Sequence, residues 1–305
     1  MSINQNQNTD SQIEMLAAQR ALYSSAKTII GTQMILAGPV AVIAILLGIL
    51  YPDFKSYAAL WGITVLVLDM VFLNPYQKRL RSQGALVQEA FDTKVLDIVW
   101  NDIKVGKRPE PELIHEQAHK FGNDTQKLDK LKNWYPVGVE QLPIQWGSIV
   151  CQRANVWWDS KLRRRYANTV LMILILLAIV LIWFAFSQNQ NFTDFVMKLV
   201  IPMAAFYKLG VTQFIEHRDA ADRLDKLRDH TEKLWLDAIN GASIEALKVK
   251  SRLLQDEIYD GRKRNPPVFD TIFRIFRDNH EVQMNKGAMV YIEEANKMIN
   301  LTHRK

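Results

Sequence analysis

Two histidines four residues apart give the chain its most recognisable catalytic spacing. His115 and His119 flank Glu116 in a segment predicted to be helical. Residues at that spacing share one helix face, so the imidazoles could bind zinc while Glu116 acts as general base, with Glu140 as a third ligand. The segment is very polar, and Lys120 directly follows the second histidine, which is typical of a solvated helix. We favour the solvated helix and keep a zinc metalloprotease as the alternative.

Basic residues with aromatic rings nearby form a second kind of candidate site. The chain carries 38 Lys and Arg against 32 Asp and Glu. Cationic side chains bind phosphates and aromatic rings stack on bases, so such clusters suit an anionic nucleotide. Similar residues at 157–166 instead suit lipid headgroups and the interfacial aromatic belt. The candidate ligand-binding residues are Lys104, Lys107, Arg108, Trp134, Tyr135, Arg153, Arg262, Lys263 and Arg264.

Three charged residues, Asp69, Lys198 and Lys208, lie within strongly apolar segments. Ionisable groups inside a membrane are costly and usually face a bundle interior or a water path. Asp69 and Lys208 lie near the same end of their segments, so an ion pair between them is geometrically reasonable. Lys198 lies near the opposite end and can extend to the interface. Two interpretations stay open, a polar stripe that lines or gates a pore and a structural ion pair.

Four apolar runs are long enough to cross a bilayer, which takes about 20 residues. The runs are Met34–Tyr51, Tyr57–Leu73, Val170–Phe186 and Phe195–Phe214. The connectors within the first and second pair of runs are too short to hold a domain. The sequence therefore predicts two transmembrane helical hairpins.

The distribution of basic residues predicts the orientation of these hairpins. All Lys and Arg residues except Lys55, Lys198 and Lys208 fall on one side of the membrane in this topology. Basic residues next to spans stay in the cytoplasm, so both termini and both polar segments are predicted to be cytoplasmic. The single cysteine, Cys151, cannot form an internal disulfide and suits a reducing compartment.

The polar segments differ in their predicted structure. Val95–Val105 alternates partially and predicts one or two short strands, whereas the rest of the insertion reads as helix and turns. After the last span, two helices with a coiled-coil-like seam meet at Asn240-Gly241, which favours an intramolecular hairpin over subunit pairing. Two more helices are expected, at Val268–Arg277 and His280–Thr302. Ser11 and Glu14 form a capping box that opens the N-terminal helix.

The predicted fold is thus a mainly α integral membrane protein with a mixed α and short β cytoplasmic insertion. Its five predicted parts are an N-terminal cytoplasmic helix (1–33), a first transmembrane hairpin (34–74), the cytoplasmic insertion (75–167), a second hairpin (168–214) and a C-terminal cytoplasmic helical domain (215–305).

Several stretches taken together resemble the SMODS-associated four-transmembrane family of pore-forming effectors. The most specific block runs from Trp157 to Asn168 and contains Trp157-Trp158-Asp159-Ser160 and Arg163-Arg164-Arg165-Tyr166. Other matching stretches are Leu16-Ala17-Ala18-Gln19-Arg20, Leu73-Asn74-Pro75, Val105-Gly106-Lys107-Arg108-Pro109, Trp134-Tyr135-Pro136-Val137, Gln255-Asp256-Glu257-Ile258 and Gln283-Met284-Asn285-Lys286-Gly287-Ala288.

The resemblance implies a role in bacterial antiphage defence of the CBASS type. A partner nucleotidyltransferase makes a cyclic oligonucleotide, the cytoplasmic part of the effector binds it, and the spans then permeabilise the inner membrane. The family is not defined by a zinc motif, and it supplies no ligand-contact residues.

We therefore expect a non-enzymatic, ligand-gated membrane effector without a cofactor, activated by a cyclic oligonucleotide that binds the candidate residues above. One four-helix unit encloses little room for ions, so a homo-oligomer in the bilayer is expected, with no DNA or RNA polymer as partner. A third class stays open, a membrane scaffold whose C-terminal helices recruit a protein.

Overall fold

The computed structural model describes residues 2–269, 283 and 285–298, apart from the side chains of Pro52 and Lys55. The helices within these ranges are α1 (Ile3–Gln7), α2 (Asp10–Ala37), α3 (Pro39–Leu50), α4 (Lys55–Leu68), α5 (Asn74–Val95), α6 (Pro111–Phe121), α7 (Thr125–Asp129), α8 (Ile144–Ser187), α9 (Phe192–Phe195), α10 (Ile201–Ile239), α11 (Ile244–Arg264) and α12 (residues 285–298). Short 3-10 turns occupy Pro52–Phe54 and Val137–Gln141, and π-helical turns occupy Asp69–Leu73 and Val196–Val200.

The chain divides into two compact units, each built from separate stretches of sequence. The polar unit comprises Met1–Ser24, Leu80–Arg163 and Ala220–Lys305, and the apolar unit comprises Ser25–Arg79 and Arg164–Asp219. The three segments predicted to be cytoplasmic therefore contribute to one unit. The five-part division of the sequence stays a prediction about domains.

The prediction of four spans is confirmed. Within the described residues, four helical stretches are long and apolar enough to cross a membrane, at Asp10–Leu50, Ser56–Val95, Ile144–Ser187 and Phe192–Ile239. The third has the most apolar 18-residue window, and only 6% of that window is buried. Apolar side chains that face outward along such a window are expected of a protein whose solvent there is lipid.

Small residues let the helices of the apolar unit approach closely. Gly62 packs directly against the backbone carbonyl of Ile201, and a Cβ at Gly62 would lie 2.9 Å from the Cα of Pro202. Small hydrophobic clusters form among the described residues of this unit. One contains Ala41, Ile45, Leu199 and Met203, and another contains Ala37, Val65 and Ala205. Alanine and glycine at such contacts are typical of membrane helix packing, where close van der Waals contact stabilises the bundle.

The C-terminal helical seam buries most of the residues that its spacing predicts, although Ile244 is 53% exposed. On α10, Leu224, Thr231, Leu234 and Ala238 are buried, and on α11, Leu247, Ser251, Leu254 and Ile258 are buried. Leu234 and Leu247 belong to the same hydrophobic core. Gly241 has a φ of +88°, the left-handed conformation expected at the end of α10.

Val95–Val105 contains no strand, so the predicted β-structure in the insertion is wrong. The helix α5 extends to Val95, and tight turns follow in which Ile98 N–H donates to the Thr93 carbonyl at 3.0 Å. The Asn101 side chain accepts from the backbone N–H of Ile103 and of Lys104 at 3.2 and 3.1 Å. Local acceptors satisfy these backbone donors, so no neighbouring strand is needed.

The N-terminus also differs from its prediction. The capping box lies at Ser2 and Gln5 and opens the short helix α1, whereas Ser11 lies inside α2. The predicted C-terminal helix at His280–Thr302 is present over residues 285–298. The predicted helix at Val268–Arg277 lies largely outside the described residues.

Candidate ligand-binding and intramembrane sites

Asp92 is the centre of a buried polar network in the polar unit. Its carboxylate accepts from the Arg262 guanidinium, from the Tyr135 hydroxyl at 2.7 Å and from Gln255 Nε2 at 3.0 Å. Gln255 Nε2 also donates to Glu89 at 2.8 Å. Tyr135 is 1% exposed and sits in the hydrophobic core. The structure therefore corrects two predicted ligand contacts, because Tyr135 cannot stack on a ligand and Arg262 is committed to Asp92.

The electrostatics of this network follow from its burial. Burial raises the pKa of Tyr135 well above its usual value, and the adjacent Asp92 carboxylate raises it further. Burial by itself would lower the pKa of Arg262, but Asp92 outweighs that effect and holds the pKa above its ordinary value. Arg262 is therefore a permanent cation that neutralises a buried carboxylate, which is a structural role.

Two basic clusters that are far apart in the sequence meet at Asp260. Lys104 Nζ lies 2.9 Å from Asp260 Oδ2, and Arg264 Nη2 lies 2.7 Å from the same oxygen. We call these three residues the Asp260 cluster. Two partly exposed cations share one carboxylate, and Glu257 and Asp256 also act on Lys104. An anionic ligand could bind here by taking the place of Asp260. Lys107 and Lys263, on the flanking segments, are exposed.

The remaining aromatic and arginine candidates lie in defined contacts. The Arg108 guanidinium stacks over the Trp100 ring at 4.8 Å, and Trp100 Nε1 donates to the Gly106 carbonyl at 2.8 Å. Trp134 is half-buried with its edge against Phe91. Trp100 therefore holds Arg108 at the surface loop, whereas Trp134 belongs mainly to the core.

Arg153 packs over the Tyr291 ring at 4.3 Å and lies 3.4 Å from Glu232. It lines a cavity with Trp157 and residues of the C-terminal region. Arg153 is thus a predicted ligand contact that borders a partly open cavity.

The histidine pair lies on a solvated face of α6. The His115 side chain is 81% exposed, and its Nδ1 lies 3.1 Å from Glu14 Oε1. Glu116 pairs with Lys120 at 2.7 Å, and His119 is exposed. No cluster of three or more His, Cys, Asp or Glu residues with metal-binding geometry occurs within the described ranges.

The intramembrane charges Asp69 and Lys208 are in contact in the apolar unit. Lys208 Nζ donates to Asp69 Oδ2, and Gln33 Nε2 donates to Asp69 Oδ1 at 2.5 Å. The Asp69 side chain is only 8% exposed, and that of Lys208 is 33% exposed. The contacts of Asp69 with Gln33 and Lys208 therefore join the helices of the first, second and fourth spans. Whether Asp69 borders an ion path stays a prediction.

Both π-helical turns occur within spans. One begins at Asp69 itself, and the other, Val196–Val200, contains Lys198. Lys198 Nζ lies 3.3 Å from Asp194 Oδ2, one helical turn earlier. Single π-turns inside helices often occur at functional positions because they displace the side chains that follow.

Comparison with known proteins decides the family. A model of the SMODS-associating 4TM effector domain matches residues 1–290. The chain belongs to this effector family. A probable CBASS effector molecule from Bacillus cereus (strain VD146) is 26% identical over 227 residues, which cover 72% of this chain and 75% of that protein. No solved structure matches the chain.

Membership of the SMODS-associating 4TM effector family confirms the resemblance seen in the sequence. It also agrees with the four membrane-spanning helices of the structure. Within this effector, the sequence did not single out Asp260, Trp100, Gln33 or Tyr291. Gln33 had the clearest signal, since an amide next to an apolar run needs a partner in lipid.

Proposed function

We propose that the chain is a CBASS effector in which a cyclic oligonucleotide binds the polar unit and the apolar unit then permeabilises the bacterial inner membrane. The observation that carries the proposal is the division of one chain into these two units. One unit presents span-length helices with outward apolar side chains, and the other presents two partly exposed cations that share the Asp260 carboxylate. The family match and the CBASS relative support this assignment.

The ligand half of the proposal rests on the Asp260 cluster and its neighbours. Lys104 and Arg264 both pair with Asp260, which brings their two segments of chain together. Those segments also carry three exposed cations, Lys107, Arg108 and Lys263. A messenger phosphate would replace Asp260 as the partner of Lys104 and Arg264 through charge-assisted hydrogen bonds. Trp100 beneath Arg108 keeps that guanidinium in place without using its donors.

The membrane half rests on the polar residues inside the bundle. A buried ion pair such as Asp69 with Lys208 is costly in lipid and marks a pathway or a switch in membrane proteins. One bundle of four spans has its interior filled by side chains, so several copies would assemble around a path. Messenger binding opens the assembly only if the messenger binds the open state more tightly than the closed state.

The decisive experiment is leakage from proteoliposomes that contain the purified chain. Cyclic dinucleotides and trinucleotides of adenine, guanine and uracil are added one at a time, and release of a dye and of potassium is recorded. We expect one of them to trigger release, with liposomes lacking the protein as control. No release with any of them, from correctly oriented and folded protein, would contradict the proposal and favour a membrane scaffold.

Charge reversal tests the ligand surface separately. Lys107→Glu and Arg108→Glu should abolish messenger binding while leaving membrane insertion intact. Lys130→Glu is the matched control, because Lys130 is an exposed lysine elsewhere in the polar unit. Unchanged affinity in the first two variants would remove Lys107 and Arg108 from the site.

A further inference from the structure

A small cavity in the polar unit is bordered by one guanidinium and two aromatic rings. Arg153 and Trp157 of α8 line one side, and Gln283, Gly287 and Tyr291 line the other. Its volume is about 140 Å³. A cavity of about 150 Å³ in another protein accommodates one benzene ring. The space therefore holds one aromatic ring, and because the cavity is partly open a larger ring system can extend out of it. It is too small for a whole cyclic dinucleotide.

The aromatic wall of this cavity is fixed by its neighbours. The Tyr291 ring packs edge-on against Trp235 at 5.2 Å, and Trp235 packs against Trp146 at 5.8 Å. Trp235 Nε1 also donates to Glu294 Oε2 at 2.9 Å, which ties α10 to α12. Tyr291 therefore keeps its orientation, and Arg153 above it keeps a planar, cationic surface at the cavity.

The hydrogen-bonding groups at the cavity match the edge of a purine. Arg153 lies at a long 3.4 Å from Glu232, and its Nε has no hydrogen-bond acceptor among the described residues. A guanidinium pairs with O6 and N7 of guanine, and a glutamine amide such as that of Gln283 pairs with N6 and N7 of adenine. Proteins that bind unpaired bases stack them on aromatic rings and arginine planes in this way.

We propose that this cavity binds one purine base of the activating cyclic oligonucleotide. The proposal rests on the proposed function, since it assigns a subsite for the same messenger. Trp157 contacts a face of the base, and the Arg153 guanidinium, which lies on the Tyr291 ring, contacts its polar edge. A base bound here joins α8 to α12.

Gly287 provides a test that leaves the walls of the cavity unchanged. A Cβ at Gly287 would meet only Arg153 Nη1, at 3.7 Å, which is an ordinary contact. Gly287→Leu therefore fills the cavity, and leucine favours the helical backbone more than glycine does. Gly287→Ala adds one methyl group and is the matched small substitution. Val290→Leu, at a 62% exposed position of α12, is the surface control.

The measurement is calorimetric titration of the full chain in lipid nanodiscs with the cyclic oligonucleotide that triggers leakage from liposomes. Loss of one stacked base should weaken binding about 10- to 100-fold in Gly287→Leu. Gly287→Ala and Val290→Leu should bind within about threefold of wild type, because they leave most of the cavity free or untouched. Arg153→Lys keeps the charge but loses the planar pair of donors, so it should weaken binding at least about tenfold.

The outcomes separate this proposal from the proposed function. Wild-type affinity in both Gly287→Leu and Arg153→Lys would overturn the base subsite and leave messenger gating intact. A wild-type chain that binds none of the cyclic oligonucleotides would overturn both. If a variant loses both affinity and unfolding temperature, Tyr291→Ala is tested in its place, with Tyr291→Phe as its control. Wild-type affinity in both of these variants would also overturn the subsite.

Discussion

Arg262 donates to the buried carboxylate of Asp92, although the two residues are 170 positions apart in the chain. The Asp92 side chain has no exposed surface, and that of Arg262 is 13% exposed. The pair joins α11 to α5, and Tyr135 Oη donates to the same carboxylate. The polar unit, made of three separate stretches of sequence, is therefore held together by an ion pair as well as by its hydrophobic core.

Removing Arg262 should destabilise the polar unit. Arg262→Met keeps most of the side-chain volume but leaves Asp92 as an uncompensated buried charge, which typically costs about 3–5 kcal/mol. Lys263→Met is the matched control, because Lys263 is exposed on the same helix. Thermal unfolding of the detergent-solubilised chain measures the difference. An unchanged unfolding temperature together with lost messenger binding would restore Arg262 to the ligand site.

The sequence showed where the basic residues cluster, but it did not show which of them are buried in ion pairs and which are exposed to a ligand. Arg262, Lys263 and Arg264 are adjacent, yet Arg262 is buried on Asp92, Lys263 is exposed, and Arg264 pairs with Asp260. Helix geometry separates neighbouring side chains by about 100°. Which of the three points inward depends on the helix that packs against α11, and a single sequence does not contain that information.

The stability of the polar unit should depend on the ionisation of Glu89. Glu89 is buried and accepts from Arg252 and from Gln255, each at 2.8 Å. Burial raises its pKa above the ordinary value of 4.5, and the neighbouring Asp92 raises it further. The folded chain therefore holds this proton more tightly than the unfolded chain. The resulting stabilisation is complete below pH 4.5 and is lost as the pH rises through the raised pKa.

Glu89→Gln should remove this part of the pH dependence. The unfolding temperature of the variant, relative to wild type, should shift upward as the pH rises from about 4.5 to neutral. Glu116→Gln is the control, because Glu116 is 62% exposed and pairs with a surface lysine. Scanning fluorimetry across that pH range gives the comparison. A constant offset between Glu89→Gln and wild type would show that Glu89 has no linked proton.

The four spans were predictable because hydropathy alone determines which segments enter lipid. The prediction of a short strand at Val95–Val105 was wrong. Apolar and polar residues also alternate in turns, where a side chain such as that of Asn101 accepts from the backbone donors. The contact between Asp69 and Lys208 was predictable in part. Their depth in the membrane could be estimated from the sequence, whereas the third partner, Gln33, depends on how the spans pack.

Glycine should be required where the second and fourth spans meet. Gly62 lies directly against the Ile201 carbonyl, so Gly62→Ala would force the two helices apart. Gly31→Ala is the matched control, because a Cβ at Gly31 meets nothing within 4 Å. We expect Gly62→Ala to lower the unfolding temperature in detergent, and Gly31→Ala to leave it unchanged or raise it slightly through better helix propensity. Equal behaviour of the two variants would contradict the close approach.

Asp69 and Lys208 should stabilise the apolar unit only when both residues are present. Lys208→Met leaves the buried Asp69 carboxylate uncompensated and should cost about 3–5 kcal/mol. Asp69→Asn leaves only the partly exposed Lys208 unpaired and should cost less. The double variant should recover a large part of the loss seen in Lys208→Met. Lys198→Met is the control, because Lys198 pairs within its own helix, with Asp194. Thermal unfolding of the four variants in one detergent gives the coupling between the two positions.

The same variants distinguish a structural pair from a residue on the ion path. If Asp69 borders the path, Asp69→Asn should lower the preference for potassium over chloride in messenger-triggered liposome currents, because a carboxylate attracts cations. A purely structural pair would change the unfolding temperature and the number of active channels but leave ion selectivity unchanged in the double variant. Altered selectivity in Lys198→Met but not in Asp69→Asn would instead assign the path to the opposite end of the fourth span.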